Sequence, residues 1–340
     1  MASEKPYILV TGATGFIGAH VVDELLRRNI KVRAATRSLE KGESLKAARP
    51  KYTELLDIVQ VTDFSEPTSL LDAVKDVTGV IHVASPFTFN VTDNEKELIK
   101  PALAGVRAIL EAAAENSNVK RIVITSSFAS VVDVNRTAPP RFEYTAKDWN
   151  PLSYEESVAK ETSPVIAYRG SKKFAELEAW KFVEEKKPGF DIVTLCPPMV
   201  FGPVVHPLSK VEDLNESNAS LWKVASGQEF PAARVPFWVD VRDLAVAHVE
   251  ALLRPEAGGK RYTVTSPEKY SYGLVADIIK EEFPSIKDRI AAGNQPVVDT
   301  HDLDGHTAAK ELGVKYTGFK QTVKDFVEEA LSLEKANLTK

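Results

Sequence analysis

Short apolar runs alternate with amphipathic stretches along the first half of the chain. The stretch from Leu98 through Ala102 and Ile109 to Ala113 places apolar residues at near-helical intervals. The apolar runs have the length of strands and cover residues 7–10, 32–36, 57–61, 79–84 and 121–125. Alternation of this kind predicts an α/β fold in which helices cover both faces of a parallel sheet. Right-handed crossovers then give a Rossmann-type, doubly wound parallel sheet.

The second half of the chain is less regular. After an apolar run at 192–195, prolines at 197, 198, 203 and 207 interrupt the pattern. A helical pattern over 241–253, with Asp240 as its N-cap, and an apolar run at 261–264 predict a return to the first sheet. We therefore expect a dinucleotide-binding domain formed by residues 1–197 plus 238–265. A smaller, interleaved C-terminal substrate domain would comprise residues 198–237 plus 266–340, with helices at 272–283 and 319–333.

Length and composition agree with a globular chain of two domains. The 340 residues are 44% hydrophobic and 27% charged, both ordinary values for such a chain. With 43 basic and 48 acidic residues the net charge is −5, which offers no electrostatic footprint for nucleic acid. No apolar stretch approaches membrane-spanning length, and the N-terminus runs directly into the first apolar run. We expect a cytoplasmic monomer or homodimer without a nucleic-acid or membrane partner.

The cysteine and the histidines give no sign of a metal site. Cys196 is the single cysteine, so an internal disulfide is excluded, and its place on an apolar run predicts a buried structural thiol. The six histidines show no metal-ligand spacing with cysteines or acids. No metal is therefore predicted.

A glycine-rich loop follows the first apolar run and precedes a helical pattern. A dinucleotide site needs glycines for a tight turn, for close approach of the backbone to a pyrophosphate, and for close packing of helix on strand. The pyrophosphate would lie at the helix N-terminus. The spacing G-x-x-G-x-x-G departs from the usual G-x-G-x-x-G, so an ordinary glycine turn is the alternative. The candidate cofactor contacts here are Gly12, Thr14, Gly15, Phe16, Ile17 and Gly18.

The end of the second apolar run indicates which dinucleotide is preferred. A carboxylate in this place would accept a hydrogen bond from a ribose 2′-hydroxyl, but the run ends in Arg37, with Lys41 four residues later. Two cations suit a 2′-phosphate, which favours NADPH/NADP+ over NADH. The alternative is a solvated pair of loop residues.

Three further strand ends carry candidate contacts, because ligands of such sheets bind beyond the carboxyl ends of the strands. Asp63 and Phe64 follow the third run and could contact an adenine, although an ordinary acidic loop is as plausible. Ala84 and Ser85 end the fourth run, with Phe87 and Phe89 facing the substrate. The fifth run ends in Thr125, Ser126 and Ser127, where a hydroxyl could hold a carbonyl oxygen; serines are also common turn formers.

Tyr168 and Lys172 lie four residues apart on a helical pattern, so their side chains share one helix face. The same stripe continues through Ala175, Ala179 and Phe182, which predicts that Lys172 points inward. No carboxylate is obvious on this stripe, so the ammonium needs a polar partner such as a ligand hydroxyl; a snorkelling lysine is the alternative. A fixed ammonium would lower the pKa of the tyrosine and make the pair fit for acid/base work. Tyr316 and Lys320 have the same spacing without this context.

Taken in order, the glycine loop, Thr125-Ser126-Ser127 and Tyr168-Arg169-Gly170-Ser171-Lys172 resemble an extended short-chain dehydrogenase/reductase. The resemblance spans nearly the whole chain. Details at 84–87, 148–151, 168–173 and 200–203 resemble the fungal NADPH-dependent methylglyoxal and aldehyde/ketone reductases, relatives of plant dihydroflavonol reductases. It implies that Tyr168 is the proton donor and that Ser127 polarises the carbonyl. Lys172 would hold the nicotinamide ribose and lower the tyrosine pKa.

The expected substrate is a small carbonyl compound in an apolar pocket. Val132 stands where plant flavonoid reductases have an asparagine for substrate hydroxyls, which disfavours a polyhydroxylated flavonoid. Pro197 and Val200 are further expected cofactor contacts. The expected pocket residues are Phe87, Phe89, Phe128, Val132, Ile166 and Met199, each of which could instead belong to the core.

Three other functions stay open beside the carbonyl reductase. One is a nucleotide-sugar epimerase or dehydratase on the same fold, which would recycle a tightly held NAD. Another is a dihydroflavonol-type reductase. The last is a regulator that binds NADP(H) without turnover, although such a protein has no need for Ser127, Tyr168 and Lys172 together.

Overall fold

The protein folds as alternating strands and helices. The computed structural model describes residues 5–85, 91–136, 141–233, 235–299 and 301–338. The strands are β1 (Tyr7–Thr11), β2 (Lys31–Thr36), β3 (Leu56–Gln60), β4 (Gly79–His82), β5 (Arg121–Thr125), β6 (Glu143–Tyr144), β7 (Asp191–Cys196), β8 (Met199–Phe201), β9 (Trp238–Asp240), β10 (Arg261–Thr263) and β11 (Asp302–Leu303). The α-helices are α1 (Phe16–Arg27), α2 (Leu39–Ala47), α3 (Pro67–Val74), α4 (Lys100–Ala114), α5 (Tyr154–Val158), α6 (Pro164–Lys186), α7 (Glu216–Ala225), α8 (Val241–Leu253), α9 (Tyr272–Glu282), α10 (His306–Leu312) and α11 (Phe319–Leu338).

The main sheet has seven strands in the order β10-β7-β5-β4-β1-β2-β3, and every neighbouring pair in it is parallel. The order reverses at β1, which pairs with β2 on one side and with β4 on the other. This confirms the predicted Rossmann-type, doubly wound sheet. In such a sheet the reversal opens a crevice at the carboxyl ends of the strands, where ligands bind.

Helices bury both faces of the sheet. Successive side chains of a strand point to opposite faces, so each strand packs against both layers of helices. On β1, Ile8 and Val10 pack into the apolar cluster that includes α1 and α8, whereas Leu9 packs into the cluster that includes α3, α4 and α6. The other inner strands alternate in the same way. This two-sided burial explains why the strands appear in the sequence as continuous apolar runs.

The chain returns to the sheet in its second half. β10 pairs with β7, and α8 begins where the pattern predicts it, with the Asp240 side chain accepting a hydrogen bond from the Arg242 backbone N–H (2.8 Å). β8 and β9 form a separate parallel pair, and α7, α9 and α11 pack against one another outside the main sheet. The division into two domains at the boundaries given above stays a prediction. In the described part of the chain, no helix combines the length and the apolar character needed to cross a membrane.

Candidate active site

An open cleft of about 1270 Å³ lies at the carboxyl ends of the parallel strands. Residues that follow β1, β2, β3, β4, β5 and β7 line it, and α6 and α7 contribute side chains further along. All fifteen predicted cofactor contacts and the three predicted catalytic residues are among the lining residues. The fold therefore gathers into one cleft residues that are far apart in the chain.

The glycine loop has the geometry that a pyrophosphate requires. Gly12 has a φ of +67°, and a Cβ there would lie 2.9 Å from the backbone nitrogen of Ala84. A Cβ on Gly18 would lie only 2.1 Å from the carbonyl oxygen of Gly12, so helix α1 could not pack so closely on the loop with a larger residue. Gly15 is the N-cap of α1 and provides no side-chain cap. The first N–H groups of the helix are thus left for a phosphate.

Arg37 and Lys41 lie on the rim of the same cleft, beside Asp63 and Phe64. Both cations are exposed, and among the described residues neither forms a salt bridge with a carboxylate. Hydrogen bonds from the Ser65 hydroxyl (2.6 Å) and backbone N–H (2.8 Å) to Asp63 Oδ1 lower the pKa of this carboxyl group. The rim thus offers two unneutralised cations at the place where a 2′-phosphate would lie.

Tyr168 and Ser127 meet in the middle of the cleft. Tyr168 lies in the second turn of α6, and Ser127 is the N-cap of a 3₁₀ turn, Phe128–Ser130, that follows β5. The Tyr168 phenol is hydrogen-bonded to the Ser127 side chain. The ammonium of Lys172 lies 5.7 Å from the centre of the Tyr168 ring and donates a hydrogen bond to Ser85 Oγ (2.8 Å). The structure therefore brings the three residues together.

The electrostatics of Tyr168 differ from the sequence-based expectation. Burial raises the pKa of Tyr168 to about 12, and the hydrogen bond with Ser127 and the nearby charge of Arg169 offset only part of this effect. Burial also lowers the pKa of Lys172 to about 8, against the opposing influence of Glu176. Desolvation thus outweighs both the hydrogen bond and the Arg169 charge, and the phenol is protonated at neutral pH.

The three hydroxyls at the end of β5 have different partners. His248 is neutral because burial lowers its pKa to about 4, and its Nδ1 donates to the Leu244 carbonyl (2.8 Å), so its Nε2 accepts from Thr125 Oγ1 (2.7 Å). The Ser126 hydroxyl donates to Glu176 Oε2 (2.7 Å). Of the three, Ser127 is the one whose hydroxyl contacts Tyr168.

Glu176 lies on the same face of α6 as Lys172, one helical turn later, and its side chain is 1% exposed. The expectation that this stripe carries no carboxylate was therefore wrong. The reason is long-range: Arg261 of β10 donates to Glu176 Oε1 (2.7 Å), so the buried carboxylate is paired. The spacing of four residues from Lys172 could have indicated that Glu176 shares its helix face. Nothing in the sequence indicated, however, that Arg261 would neutralise the buried carboxylate.

The substrate end of the cleft agrees with the prediction only in part. Phe128 and Met199 line it, but Val132 and Ile166 do not. Val132 packs instead in a buried apolar cluster with Val131 and Phe237. In the first turn of α6, Val165 lines the cleft, and its neighbour Ile166 is turned away by about 100° of helix rotation. Phe87 and Phe89 lie outside the described residues.

A second wall of this cleft was not predicted from the sequence. Helix α7 and the loop after it contribute polar residues to the substrate end of the cleft. The predicted pocket was apolar, whereas the observed one is lined by both polar and apolar side chains. Aromatic rings accompany these polar groups. The missed residues are Asn215, Glu216, Ser217, Ser220, Lys223, Glu229, Phe230, Tyr270 and Tyr272. These residues carried no recognisable motif, and the packing of α7 against β8 and α9 brings them to the cleft.

Cys196 is buried, as predicted, and burial together with the charge of Glu176 raises the pKa of its thiol to about 12. A neutral, inaccessible thiol is a structural group and not a nucleophile. Within the part of the chain that the structure describes, no group of three or more His, Cys, Asp and Glu residues is arranged to hold a metal ion.

Comparison with known proteins identifies the family. Residues 8–265 match the model described as the NAD dependent epimerase/dehydratase family. A putative uncharacterized oxidoreductase of Schizosaccharomyces pombe is 42% identical over 315 residues, covering 91% of this chain and 92% of the relative. The NADPH-dependent methylglyoxal reductase GRE2 of Saccharomyces cerevisiae is 35% identical over 350 residues, covering 96% and 98%.

Structural comparison agrees with the sequence matches. The crystal structure of yeast methylglyoxal/isovaleraldehyde reductase Gre2 complexed with NADPH superposes with a TM-score of 0.86 at 32% identity, covering 97% of this chain and 99% of that one. These matches extend over the sheet, the cleft and the helices of the second half. The chain therefore belongs to the NAD dependent epimerase/dehydratase family.

Proposed function

We propose that the protein is an NADPH-dependent carbonyl reductase that converts an aldehyde or ketone to an alcohol. One observation carries the proposal: Ser127, Tyr168 and Lys172 meet in a single cleft that continues to the glycine loop and to Arg37 and Lys41. The named activity of the yeast relatives supports the same conclusion.

Different residues along the cleft would bind different parts of the cofactor. The N–H groups at the start of α1 would hold the pyrophosphate, and Arg37 and Lys41 the 2′-phosphate. Lys172, already a donor to Ser85 Oγ, would hold ribose hydroxyls with its ammonium. When bound, NADPH supplies a hydride for the carbonyl carbon.

Ser127 and Tyr168 act on the carbonyl oxygen. The Ser127 hydroxyl donates a hydrogen bond to this oxygen and stabilises the negative charge that develops on it. Tyr168, protonated because burial raises its pKa, then transfers its phenolic proton to the forming alkoxide, which is the stronger base. The ammonium of Lys172 stabilises the phenolate that remains.

The substrate class follows from the residues beside this pair. Phe128, Val165 and Met199 offer apolar surface close to Tyr168. Polar groups of α7, among them Ser217 and Lys223, lie further along the wall. We propose a small aliphatic or aryl carbonyl compound of the methylglyoxal type, whose reacting end lies against the apolar surface.

A spectrophotometric assay of NADPH consumption tests the function. The panel contains methylglyoxal, branched aldehydes, aryl ketones and dihydroflavonols, with Tyr168→Phe as the inactive control. We expect turnover of small carbonyl compounds by the wild-type protein. Binding of NADPH without turnover of any of them would contradict the reductase and favour the regulator.

The preference for NADPH is tested by Arg37→Ala. The lost charge-assisted hydrogen bonds should raise the KM for NADPH about 10- to 100-fold, because each is worth roughly 1.5–3 kcal/mol. The KM for NADH should not change. Lys51→Ala, an exposed lysine outside the cleft, is the matched control. An equal effect of Arg37→Ala on both cofactors would rule out a 2′-phosphate contact.

The epimerase or dehydratase alternative predicts a different behaviour of the purified protein. Such an enzyme retains NAD and regenerates it, so the protein would carry NAD through purification and consume no NADPH. Location in the cytoplasm and the choice between monomer and homodimer stay predictions, to be tested by fluorescence microscopy of a tagged chain and by light scattering.

A further inference from the structure

Beneath the cleft, the Glu176 carboxylate accepts a full set of hydrogen bonds. Its Oε1 accepts from Thr194 Oγ1 (2.6 Å) and from Arg261 Nε (2.7 Å). Its Oε2 accepts from Ser126 Oγ (2.7 Å) and from Ser130 Oγ (2.7 Å). A buried carboxylate is stable only when it is paired and hydrogen-bonded in this way.

These bonds connect the two elements that carry the catalytic residues. Ser126 and Ser130 lie on either side of Ser127, and Ser130 Oγ is also 2.7 Å from the Ser127 carbonyl oxygen. Glu176 belongs to α6, the helix of Tyr168 and Lys172. The carboxylate therefore fixes the turn that carries Ser127 to the helix that carries the other two residues.

Glu176 is ionised in this environment. Burial alone would raise its pKa, but the charge of Arg261 and the hydrogen bonds it accepts outweigh burial and hold the pKa below its usual value. Arg261 is itself held in place: it is 7% exposed, lies 3.7 Å from the centre of the Trp149 ring and donates to the Ala146 carbonyl (3.0 Å). The anion is thus fixed next to the active site.

A small cavity with both polar and apolar wall residues adjoins Glu176 and Lys172. Its volume is about 20 Å³, and its other polar wall residues are His82, Ser85, Thr125 and Ser126. This volume admits about one water molecule, with several polar partners at hand. Glu176 and Lys172 therefore face the same small cavity, and the negative charge of Glu176 opposes the lowering of the Lys172 pKa by burial.

The charged and titratable groups around Lys172 come from four elements. Tyr168 and Glu176 share its helix, His82 comes from β4, Cys196 from β7 and Arg261 from β10. Burial lowers the pKa of His82 to about 3 and raises that of Cys196 to about 12, so both are neutral. Glu176 is therefore the anion that supports the Lys172 cation.

We propose that Glu176 is a positioning residue for the reaction, one that orients Ser127 and keeps Lys172 charged. The inference rests on the proposed function of Ser127, Tyr168 and Lys172. It goes beyond a packing role, because a packing role would leave the protonation of Lys172 unchanged.

Four variants separate charge from shape. Glu176→Gln keeps the shape and removes the charge, whereas Glu176→Asp keeps the charge. Glu176→Gln combined with Arg261→Gln removes both charges and avoids an unpaired buried guanidinium, so a folded neutral form is available. Asp191→Asn is the control, since it breaks another arginine pair, with Arg121 (2.6 Å), outside the cleft.

The readouts are kcat, KM and the pH profile of kcat for NADPH-dependent reduction, with the melting temperature as a measure of folding. We expect both neutral variants to lose kcat about 10-fold or more and to move the alkaline limb of the profile about one pH unit lower, because Lys172 loses its supporting anion. Glu176→Asp should keep the wild-type limb. Asp191→Asn should keep both the limb and kcat and lower only the melting temperature.

Ser130→Ala tests the orientation of Ser127 separately, since it removes the hydroxyl that contacts Glu176, Arg261 and the Ser127 carbonyl and leaves every charge. We expect a several-fold loss of kcat with an unchanged limb. A wild-type limb in the doubly neutral variant, or an equal shift in Glu176→Asp, would overturn the proposal. Such a result in an active wild-type enzyme would contradict this inference alone, whereas an inactive wild-type protein would contradict the proposed function.

Discussion

Two tyrosine–lysine pairs with the same spacing have opposite environments in this protein. Tyr168 and Lys172 both lie in α6 and both line the cleft. Tyr316 precedes α11, so only Lys320 of that pair is helical, and its ammonium binds the carboxylates of Glu281 (2.7 Å) and Glu282 (2.8 Å) on the surface. A spacing of four residues is therefore not enough to predict that a tyrosine and a lysine share one helix face.

The two pairs also differ in what their polar atoms contact. The Tyr316 hydroxyl donates to the Gly305 carbonyl (2.8 Å), which is a bond within the fold. The Tyr168 phenol instead contacts the Ser127 side chain at the cleft, and Lys172 donates to Ser85. A tyrosine–lysine pair is a candidate for catalysis when its polar atoms lie at a cleft and contact other side chains there. The following variants test this distinction.

The largest effect is expected from Tyr168→Phe, which removes the proposed proton donor. We expect kcat to fall about 10²- to 10⁴-fold, the usual contribution of a general acid. Circular dichroism should show an unchanged fold. Tyr316→Phe should keep kcat within about two-fold, because its hydroxyl bonds only to the backbone. Comparable losses in both variants would show that the environments do not distinguish the pairs.

Lys172→Met should have the next largest effect, with Lys320→Met as its control. Loss of the buried ammonium would remove the proposed contact to the cofactor ribose and the proposed support of the phenolate, so we expect a loss of about 10²-fold in kcat/KM. Lys320 lies in an exposed ion pair, which solvent screens, and its loss should not affect turnover. Steady-state kinetics at a fixed pH measure both.

The pH dependence of kcat provides a smaller test. Burial lowers the pKa of Lys172 to about 8, so the cation is present below this pH and is lost above it. Tyr168, whose pKa burial raises to about 12, stays protonated through this range. We therefore expect kcat to fall as the pH rises through about 8. A profile that stays flat up to strongly alkaline pH would contradict the role of the Lys172 charge.

The smallest effect concerns stability. Tyr316→Phe removes the hydrogen bond to Gly305 O, so the free energy of unfolding should fall by about 1 kcal/mol, as for a typical internal hydrogen bond. Urea denaturation measures it. Lys320→Met should change the free energy of unfolding by less than this because its salt bridges are exposed. A larger loss of unfolding free energy in Lys320→Met than in Tyr316→Phe would show that the surface salt bridges stabilise the fold more than the Tyr316 hydroxyl does.

The sequence predicted what depends on local order along the chain. The bounds of β5 and α8 were predicted without error, and the strand ends indicated the cofactor side of the cleft, because parallel strands bring their carboxyl ends to one edge. The partnership of Glu176 and Arg261 was not predictable, since 85 residues separate them and no periodicity relates them. The assignment of Val132 and Ile166 to the pocket failed because the direction of a side chain depends on local rotation and packing.

The two walls of the cleft come from different parts of the chain. The side proposed to bind the cofactor is formed by strand ends and by glycines that admit no Cβ, whereas the far side is formed by α7 and the loop after it, outside the main sheet. Substitutions on α7 can therefore alter which carbonyl compound is accepted without disturbing the glycine loop. This division gives evolution, or an engineer, a route to new substrate ranges on an unchanged reducing site.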